Sequence, residues 1–332
     1  MALCGEIIIE YLEQLPDLPS LTLAKKIYKE NKAAFKSVDS VRGQIRYYRG
    51  QSGDRLRAKL ATKKYVKPPG DKNPFQKIPN GLKFFDEWEP YVMDSKRCLI
   101  LSDLHIPFHE RAPLIMALEY GYKHNVDSII LNGDFTDFYS CSHWQTDPRK
   151  RDFQNEISTC RDILGYIRSG FPDVKIVLKT GNHEERYYRY LAVKAPELLG
   201  VDKFELVSIF GLDDYDVELV GDRRIIKFGK LSIIHGHEFG RTISSPVNPA
   251  RGLYLKGKDT ALCGHFHAAS KHNERSMNGR MITCFSVGCL CDLHPDYSPI
   301  NKWGHGFAIV DRIGDGGEFE VWNKDIIDGR IF

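Results

Sequence analysis

A short apolar run that stops at a group of polar residues occurs five times in this chain of 332 residues. The first copy is LILSDLH, residues 99–105, where a run typical of a buried strand leaves Asp103 and His105 at its end. In an alternating α/β pattern, the carboxyl end of such a strand is where ligands bind. If the backbone stays extended, residues two apart point to the same side. The sequence therefore predicts that Asp103 and His105 clamp one metal ion.

The other four copies also place oxygen and nitrogen donors directly after a strand. They are NGDFTD at 132–137, GNHE at 181–184, HGH at 235–237 and GHFH at 264–267. Taken alone, Asp103 is more typical of a helix cap than of a metal ligand, and Asn182 is more typical of a turn residue, because such residues are common in loops. His235 and His237 are each compatible with an ordinary loop histidine, and of the two the one nearer the strand is favoured as a ligand. Five copies in one chain favour convergent ligands.

The spacing of apolar residues around these strand ends predicts an α/β fold. From Cys98 onward, apolar runs alternate with helical patterns, first over Ile115 to Tyr122 and then over Ile157 to Ile167. Such alternation predicts parallel strands joined by right-handed crossovers. After Asp214, six short apolar runs from DVELV to EFEVW predict a second, largely antiparallel sheet. Two mixed sheets flanked by helices would bring all five strand ends to one rim.

Charge is distributed unevenly along the chain. The formal net charge is +3, but residues 20–67 contain 14 Lys and Arg against 3 Asp and Glu, a local net of +11. The remainder therefore carries −8. The basic part is suited to polyanions, whereas the rest would meet them through bound cations.

The basic part belongs to a predicted all-α module over residues 1–65. It contains a helix over 3–15, a second helix capped by Thr22, and a third over 38–49 that Gly50 closes. The third helix carries a stripe of arginines and resembles the last helix of a helix-turn-helix DNA-binding module. The candidate nucleic-acid contacts are Arg42, Arg46, Arg49, Lys63 and Lys64. The alternative is a helical bundle whose basic face docks onto the main domain or a sister subunit.

A stretch rich in proline and glycine predicts a linker over 66–83, which leaves 84–332 as the main domain. No apolar run approaches the ~20 residues that cross a bilayer, and the N-terminus lacks the layout of a signal peptide. We therefore expect a cytoplasmic protein without a membrane partner.

Eight cysteines agree with a reducing compartment, and most lie in predicted strands or helices. Cys289 and Cys291, with Asp292 and His294 nearby, are an alternative zinc site. Because no second cysteine pair has finger-like spacing, a loop with reduced thiols is the favoured interpretation.

The motifs D-x-H, GDxxD, GNHE, a histidine after a strand, and GHxH follow one another between about Cys98 and Val310. This order resembles the calcineurin-like metallophosphoesterases, and the basic helical N-terminus favours a phage-type member. The resemblance implies a four-layer αββα sandwich that binds two divalent metal ions. It implies a first ion held by Asp103, His105, Asp134 and His267, and a second held by Asp134, Asn182, His235 and His265. Such mixed donors suit Mn²⁺, our first expectation, as well as Fe, Zn²⁺ or Ni²⁺.

Two divalent cations would make a phosphate ester reactive, because they neutralise its oxygens and acidify a bridging water. Asp134 is predicted to bridge them. By resemblance, His183 lies beside the leaving oxygen and either protonates the departing alkoxide or stabilises charge on the phosphoryl oxygens. Glu184 is expected to orient the His183 ring, and Asp137 to support the site by hydrogen bonds. The stretch 186–190 (RYYRY) either lines the substrate cleft or packs its tyrosines inward.

The expected function is a phosphodiesterase or nuclease that acts on nucleic acid through attack by a metal-bridging hydroxide. One alternative is a phosphatase of a small nucleotide or phosphoprotein, with the helical module used for oligomerisation. Another is a DNA-binding regulator with a non-catalytic domain, although such a domain has no need of every ligand together with His183. The sequence leaves the oligomeric state open.

Overall fold

The structure is a computed structural model that describes residues 2–60, 62–66, 75, 78–84, 88–144, 146–242 and 247–332. The chain divides into two units, residues 1–84 and 85–332. Much of the linker predicted over 66–83 lies outside the described residues.

The first unit contains four helices, in its described part, around a small apolar core. The helices are α1 (Ala2–Gln14), α2 (Ser20–Glu30), α3 (Val38–Tyr48) and α4 (Asp54–Ala58). The predicted Thr22 cap is wrong, because the amide of Leu23 already bonds to the carbonyl of Pro19 and the helix begins at Ser20. At α3, Ser37 is the cap and accepts from the amide of Ser40. The core residues are Ile8, Leu12, Leu23, Ala24, Ile27, Phe35, Val41 and Ile45.

The basic side chains of this unit are not equivalent. Arg49 is only 2% exposed, and its guanidinium donates to the carbonyl of Pro16 at 2.9 Å and to Ser20 Oγ at 3.0 Å. Its side chain is therefore held inside the unit, in contrast to the predicted arginine stripe. Arg46 and Lys63 are exposed. Of the remaining candidates, Arg42 is half-buried and Lys64 pairs with Glu13 at 2.7 Å.

The second unit is built from strands and helices that alternate in its first half. Its strands are β1 (Tyr91–Met93), β2 (Arg97–Leu101), β3 (Ser128–Asn132), β4 (Lys175–Lys179), β5 (Val217–Val220), β6 (Ile226–Phe228), β7 (Leu231–Ile234), β8 (Ala261–Cys263), β9 (Ser270–Arg275), β10 (Met281–Ser286), β11 (His305–Ile313), β12 (Glu318–Ile327) and β13 (Arg330–Ile331). Its α-helices are α5 (Arg111–Lys123), α6 (Phe153–Gly170), α7 (Asn182–Lys194), α8 (Leu206–Phe210) and α9 (Pro249–Gly257). Short 3₁₀ segments are Tyr139–Cys141, Pro148–Lys150, Pro196–Leu198, Asp202–Phe204, Leu212–Tyr215 and His237–Thr242.

The strands form two mixed sheets, which confirms the predicted fold class. One has the order β13-β12-β11-β2-β3-β4-β5 and the other β1-β6-β7-β8-β10-β9. The expectation of a largely antiparallel second sheet is wrong, because β1-β6, β7-β8 and β8-β10 are parallel pairs. DVELV, GFAIV and EFEVW join the first sheet instead, as β5, β11 and β12. Residues Gly306 to Val310 on β11 are all buried, and the strand pairs with β2 on one side and with β12 on the other.

Three apolar clusters separate four layers. One cluster packs α5, α6 and α7 against the first sheet, through residues such as Leu99, Ile129 and Leu164. The second lies between the two sheets and includes Ile100 and Ile233. The third packs α9 against the outer face of the second sheet. The order of layers is thus helix, sheet, sheet, helix.

The parallel strands β2, β3 and β4 end at the same edge of the first sheet, and β7 and β8 end together in the second. All five motifs follow these ends directly. None of the helices in the described part of the chain has the length and hydropathy needed to cross a bilayer.

Candidate metal centre

The backbone turns sharply at the strand ends that carry the motifs. Asp103, His105, Asp134, His265 and His267 all have positive φ, between 48° and 69°. Side chains rarely adopt this left-handed region, and such strain concentrates at functional sites. The expectation of an extended backbone after β2 is therefore wrong, since the strand ends at Leu101. The side chains converge through left-handed turns instead.

One group of donors forms where the first and fifth motifs meet. The Nε2 atom of His267 lies 3.2 Å from Oδ1 of Asp103 and 3.2 Å from Nε2 of His105. The Nε2 atom of His105 lies 4.0 Å from the same Asp103 oxygen. Two ligand atoms that are each ~2.1 Å from one cation lie about 3 Å apart. These separations match a shared cation.

A second group forms where the third and fourth motifs meet. The Nε2 atom of His235 lies 3.2 Å from Oδ1 of Asn182 and 3.2 Å from Oδ2 of Asp134. A donor atom of His265 lies within 4.8 Å of both Asp134 and His235.

Asp134 lies between the two groups. Its Oδ2 atom is 3.2 Å from Nε2 of His235 in one group and 3.8 Å from Nε2 of His105 in the other. Its Oδ1 atom accepts from the backbone amide of His183 at 2.9 Å, which fixes the carboxylate. One carboxylate is thus within reach of both donor groups.

Hydrogen bonding on the outer side of these groups fits cation binding. Oδ2 of Asp103 accepts from Ser102 Oγ and from the His265 amide, whereas its buried Oδ1 has no hydrogen-bond partner in the described chain. Nδ1 of His105 donates to Asp137 at 3.1 Å, and Nδ1 of His235 donates to the carbonyl of Asn132 at 2.8 Å. Each ring therefore presents a bare Nε2 to the centre. The donors fit two divalent cations.

A protein-family model agrees with this geometry. The model for the calcineurin-like phosphoesterases matches residues 96–269, just over half of the chain. The chain belongs to the calcineurin-like phosphoesterase family.

Relatives of this phosphoesterase include two phage proteins. The "Gene 54 protein" of Mycobacterium phage L5 is 27% identical over 255 residues, which cover 72% of this chain and 99% of that protein. Its counterpart in Mycobacterium phage D29 is 26% identical over 250 residues, covering 71% and 96%. Both agree with a phage-type member.

Solved structures similar to this phosphoesterase share little sequence with it. Vacuolar protein sorting 29 from Cryptosporidium parvum is 13% identical, with a TM-score of 0.37 and coverage of 72% of this chain and 95% of that one. A dimetal phosphatase from Danio rerio is 11% identical, with a TM-score of 0.34 and coverage of 69% and 96%.

Glu184 links two ligand loops of the phosphoesterase. Its buried carboxylate accepts from the backbone amides of Gly181, Asp134 and Thr136 at 2.7, 3.0 and 3.2 Å. In the described part of the chain, Glu184 accepts these hydrogen bonds from backbone amides. They give no support to the expectation that Glu184 orients the His183 ring. Its carboxylate fixes the position of the second motif relative to the third.

His183 is held by other groups. Its Nδ1 donates to the carbonyl of Asp137 at 2.8 Å, and its Nε2 accepts from Nη2 of Arg186 at 2.9 Å. Burial is the main reason that the pKa of His183 is lowered to about 3, so the ring is neutral. The carboxylate of Asp137 lies beside both His105 and His183 without entering either donor group.

Several residues of the site were missed by reasoning from the sequence. Glu238 accepts from the amides of His235 and Gly236 and pairs with the buried Lys179 at 2.9 Å. GNHE at 181–184 and HGHE at 235–238 both contain glycine and end in histidine and glutamate, and this similarity could have revealed Glu238. His237 bonds to Glu185 at 2.8 Å and lies outside the donor groups.

One further feature near the site is the stretch 186–190 (RYYRY). Tyr187 is buried in the apolar core and Tyr188 donates to Glu205, whereas Arg186 reaches the site.

The eight cysteines are free thiols, and Sγ of Cys291 lies 3.8 Å from Nδ1 of His267. The sequence analysis considered Cys291 only in an alternative zinc site with Cys289, whereas the structure groups its sulfur with the donor atoms of His105 and His267.

Without a bound cation, the carboxylates of the centre draw protons onto its imidazoles. Burial opposes protonation of His235, but Asp134 outweighs it and the pKa rises to about 10. Burial also opposes protonation of His105, and Asp137 with Asp134 raises its pKa to about 9. Burial favours the neutral form of Asp134, yet the imidazoles of His183 and His235 hold its pKa well below the usual range.

Replacing Glu184 by Gln should weaken metal binding. The amide group of Gln would face the Thr136 amide as a second donor, so the loop that carries Asp134 would lose its fixed position. We expect the Mn²⁺ affinity, measured by titration calorimetry, to fall by ~10–100-fold. The exposed Glu197→Gln variant is the control and should bind as the wild type does. Equal affinities for Glu184→Gln and the wild type would contradict the role given to this carboxylate.

The metal-free protein should lose stability in alkaline solution. A pKa raised on folding contributes stability that is complete below the unfolded value of about 6.5 and is lost as the pH rises through the folded value. With His105 at about 9 and His235 at about 10, the melting temperature in the presence of a chelator should fall progressively between about pH 6.5 and about pH 10. The His235→Asn variant should show a smaller fall over the same range. A constant melting temperature, or an equal fall in the variant, would rule out these shifts.

Proposed function

We propose that this chain is a phosphodiesterase or nuclease that uses two divalent cations to act on nucleic acid. The observation that carries the proposal is the position of Asp134, whose Oδ2 lies 3.2 Å and 3.8 Å from imidazole nitrogens of two donor groups. A shared carboxylate with two flanking donor sets is what a pair of cations requires.

We assign the ligands from the two donor groups. The first ion would be held by Asp103, His105, Asp134 and His267, and the second by Asp134, Asn182, His235 and His265. Mn²⁺ is the proposed ion, since imidazole, carboxylate and amide donors without thiolate suit it, and Fe, Zn²⁺ and Ni²⁺ share this preference. When bound, two such cations neutralise phosphoryl oxygens and lower the pKa of water.

Side chains beside the ligands would supply the remaining charge. Nε2 of His183 carries no proton while it accepts from Arg186, and a pKa of about 3 favours this neutral state. Protonation of the departing alkoxide by His183 is therefore disfavoured. We infer that His183 and the carbonyl of Asp137 together hold the guanidinium of Arg186, whose charge then stabilises the phosphoryl oxygens.

Charge supports nucleic acid as the substrate. Residues 1–84 contain 17 Lys and Arg against 8 Asp and Glu, a net of +9, so residues 85–332 carry −6. Arg46 and Lys63 are exposed in the first unit. Arg49 is omitted from our proposal because its guanidinium is buried and bonded within the unit. A basic, exposed surface is the electrostatic pattern of a nucleic-acid-binding module.

The phosphodiesterase activity can be measured with small esters. We expect the Mn²⁺-loaded chain to hydrolyse bis-p-nitrophenyl phosphate faster than p-nitrophenyl phosphate, and a chelator to abolish both rates. The His183→Ala variant should lose ~10²–10³-fold in kcat with its metal content unchanged, because Arg186 would lose the ring that holds its guanidinium. His124→Ala, which lies near Arg97 at the opposite end of β2, should change kcat by less than about twofold. No hydrolysis by the metal-loaded wild type would overturn the proposal.

Binding to DNA should depend on the exposed charges of the first unit. For the Arg46→Ala/Lys63→Ala double variant, the slope of log affinity against log salt should become shallower by about 2, because each phosphate contact contributes about 0.9. The control is Lys123→Ala/Lys194→Ala in the second unit, which removes the same charge from exposed helix positions. If both double variants bind DNA alike at every salt concentration, the first unit has no specific role in binding.

A further inference from the structure

A cavity of about 550 Å³ adjoins the candidate metal centre. Its volume lies in the ~300–1,000 Å³ range of pockets that bind small organic groups. The cavity is continuous with the centre, since Asn182 and His183 line one part of it. The residues that line it are Asp137, Tyr139, Ser142, Trp144, Thr146, Asn182, His183, Arg186, Asp296 and Tyr297.

Two aromatic side chains of this cavity are largely exposed. Trp144 and Tyr297 each have 65% relative exposure. They come from different loops, one after the Tyr139–Cys141 segment and the other between β10 and β11. Trp144 has His143 beside it, with ring centroids 4.5 Å apart, and Tyr297 meets Trp303 edge-on at 6.2 Å. The ring surface that stays exposed beside the polar centre is available to stack on a flat ligand.

Arg186 supplies the positive charge at the end of the cavity near the centre. Its Nη1 donates to the carbonyl of Asp137 at 3.1 Å and its Nη2 donates to His183 at 2.9 Å. These bonds use part of its five N–H donors and fix the plane of the guanidinium. A guanidinium held in this way is suited to the oxygens of a phosphate group.

We propose that this cavity is a nucleoside subsite, in which Arg186 contacts the phosphate and Trp144 and Tyr297 stack on the base. The inference rests on the proposed function, because it takes the phosphoester at the centre to belong to a nucleotide. Ser142, Thr146 and Asp296 line the cavity with hydroxyl and carboxylate groups, which also accept from Trp144, Arg151 and Lys150, respectively. These groups would face the polar edge of the base.

The subsite restricts the form of the substrate. A base that enters the cavity cannot at the same time be paired and stacked within a duplex. The substrate therefore presents an unpaired nucleotide, in a single strand or at a strand end.

Binding of inert phosphonates tests the subsite without turnover. The ligands are the P–C-linked phosphonate analogue of thymidine 5′-monophosphate and methylphosphonate, titrated into the Mn²⁺-loaded full chain in a calorimeter. We expect the thymidine analogue to bind roughly tenfold tighter or more, the contribution of one stacked base. In the Trp144→Ala/Tyr297→Ala variant this ratio should approach one, while affinity for methylphosphonate stays the same. Tyr166→Ala, a 77% exposed tyrosine on α6, is the matched control and should keep the ratio.

Competition extends the test to longer substrates. A single-stranded oligonucleotide should displace the thymidine analogue at a lower nucleotide concentration than a blunt duplex of the same sequence. Equal affinity of the wild type for the two phosphonates, or an unchanged ratio in the double variant, would overturn the subsite. A preference for a phosphotyrosine-peptide phosphonate over the thymidine analogue would do the same.

The outcomes separate the two proposals. Selective binding of the thymidine analogue by a chain that hydrolyses neither nitrophenyl ester would overturn the phosphodiesterase and keep the subsite. Hydrolysis of the diester without selective binding would overturn the subsite alone.

Discussion

Two buried carboxylates of like charge are the constraint on which the rim of this phosphoesterase depends. Asp103 and Asp134 are almost fully buried, and Asp103 Oδ1 has no hydrogen-bond partner among the described residues. Burial of an unpaired anion costs several kcal/mol. Positive charge must therefore be present, as protons on His105 and His235 or as cations. Nε2 of His105 and Nε2 of His235 can each hold a proton or a cation. The same two atoms therefore serve the metal-free and the metal-bound protein.

Such a centre needs loops that do not move, and two glutamates fix them by the same means. Glu184 and Glu238 each end a pattern of glycine, histidine and glutamate, and each accepts backbone amides of a ligand loop. Glu184 also joins the loop of Asp134 to that of Asn182, so one carboxylate fixes ligands of both donor groups. Glu238 is compensated by the buried Lys179 on β4. Residues in the strained left-handed region persist only where surrounding interactions hold them in place. The hydrogen bonds of Glu184 and Glu238 hold the ligand loops in this way.

The sequence predicted that the five strand ends share one rim, because parallel strands end at one edge of a sheet. Which donors share an ion was implied only by the family resemblance. The sequence could not predict how the chain turns at the strand ends. The convergence of Asp103 and His105 depends on positive φ angles, for which their residue types give only a weak signal. Assignment of β11 to the first sheet depends on long-range pairing that local pattern does not encode. Arg49 has the same helical spacing as Arg42 and Arg46, and only tertiary contacts distinguish its buried side chain.

The division of charge between the two units bears on how a polyanion would reach the centre. Residues 85–332 carry −6, so on its own this unit would repel nucleic acid at a distance. Two bound divalent cations would reverse the local sign, but screening confines their attraction to about 10 Å at 0.1 M salt. In the proposed function, residues 1–84, with a net of +9, would hold the polyanion by direct contacts to its phosphates. Affinity and chemistry would then rest on different parts of the chain, with the cation-binding rim acting only on a strand that the basic unit already holds.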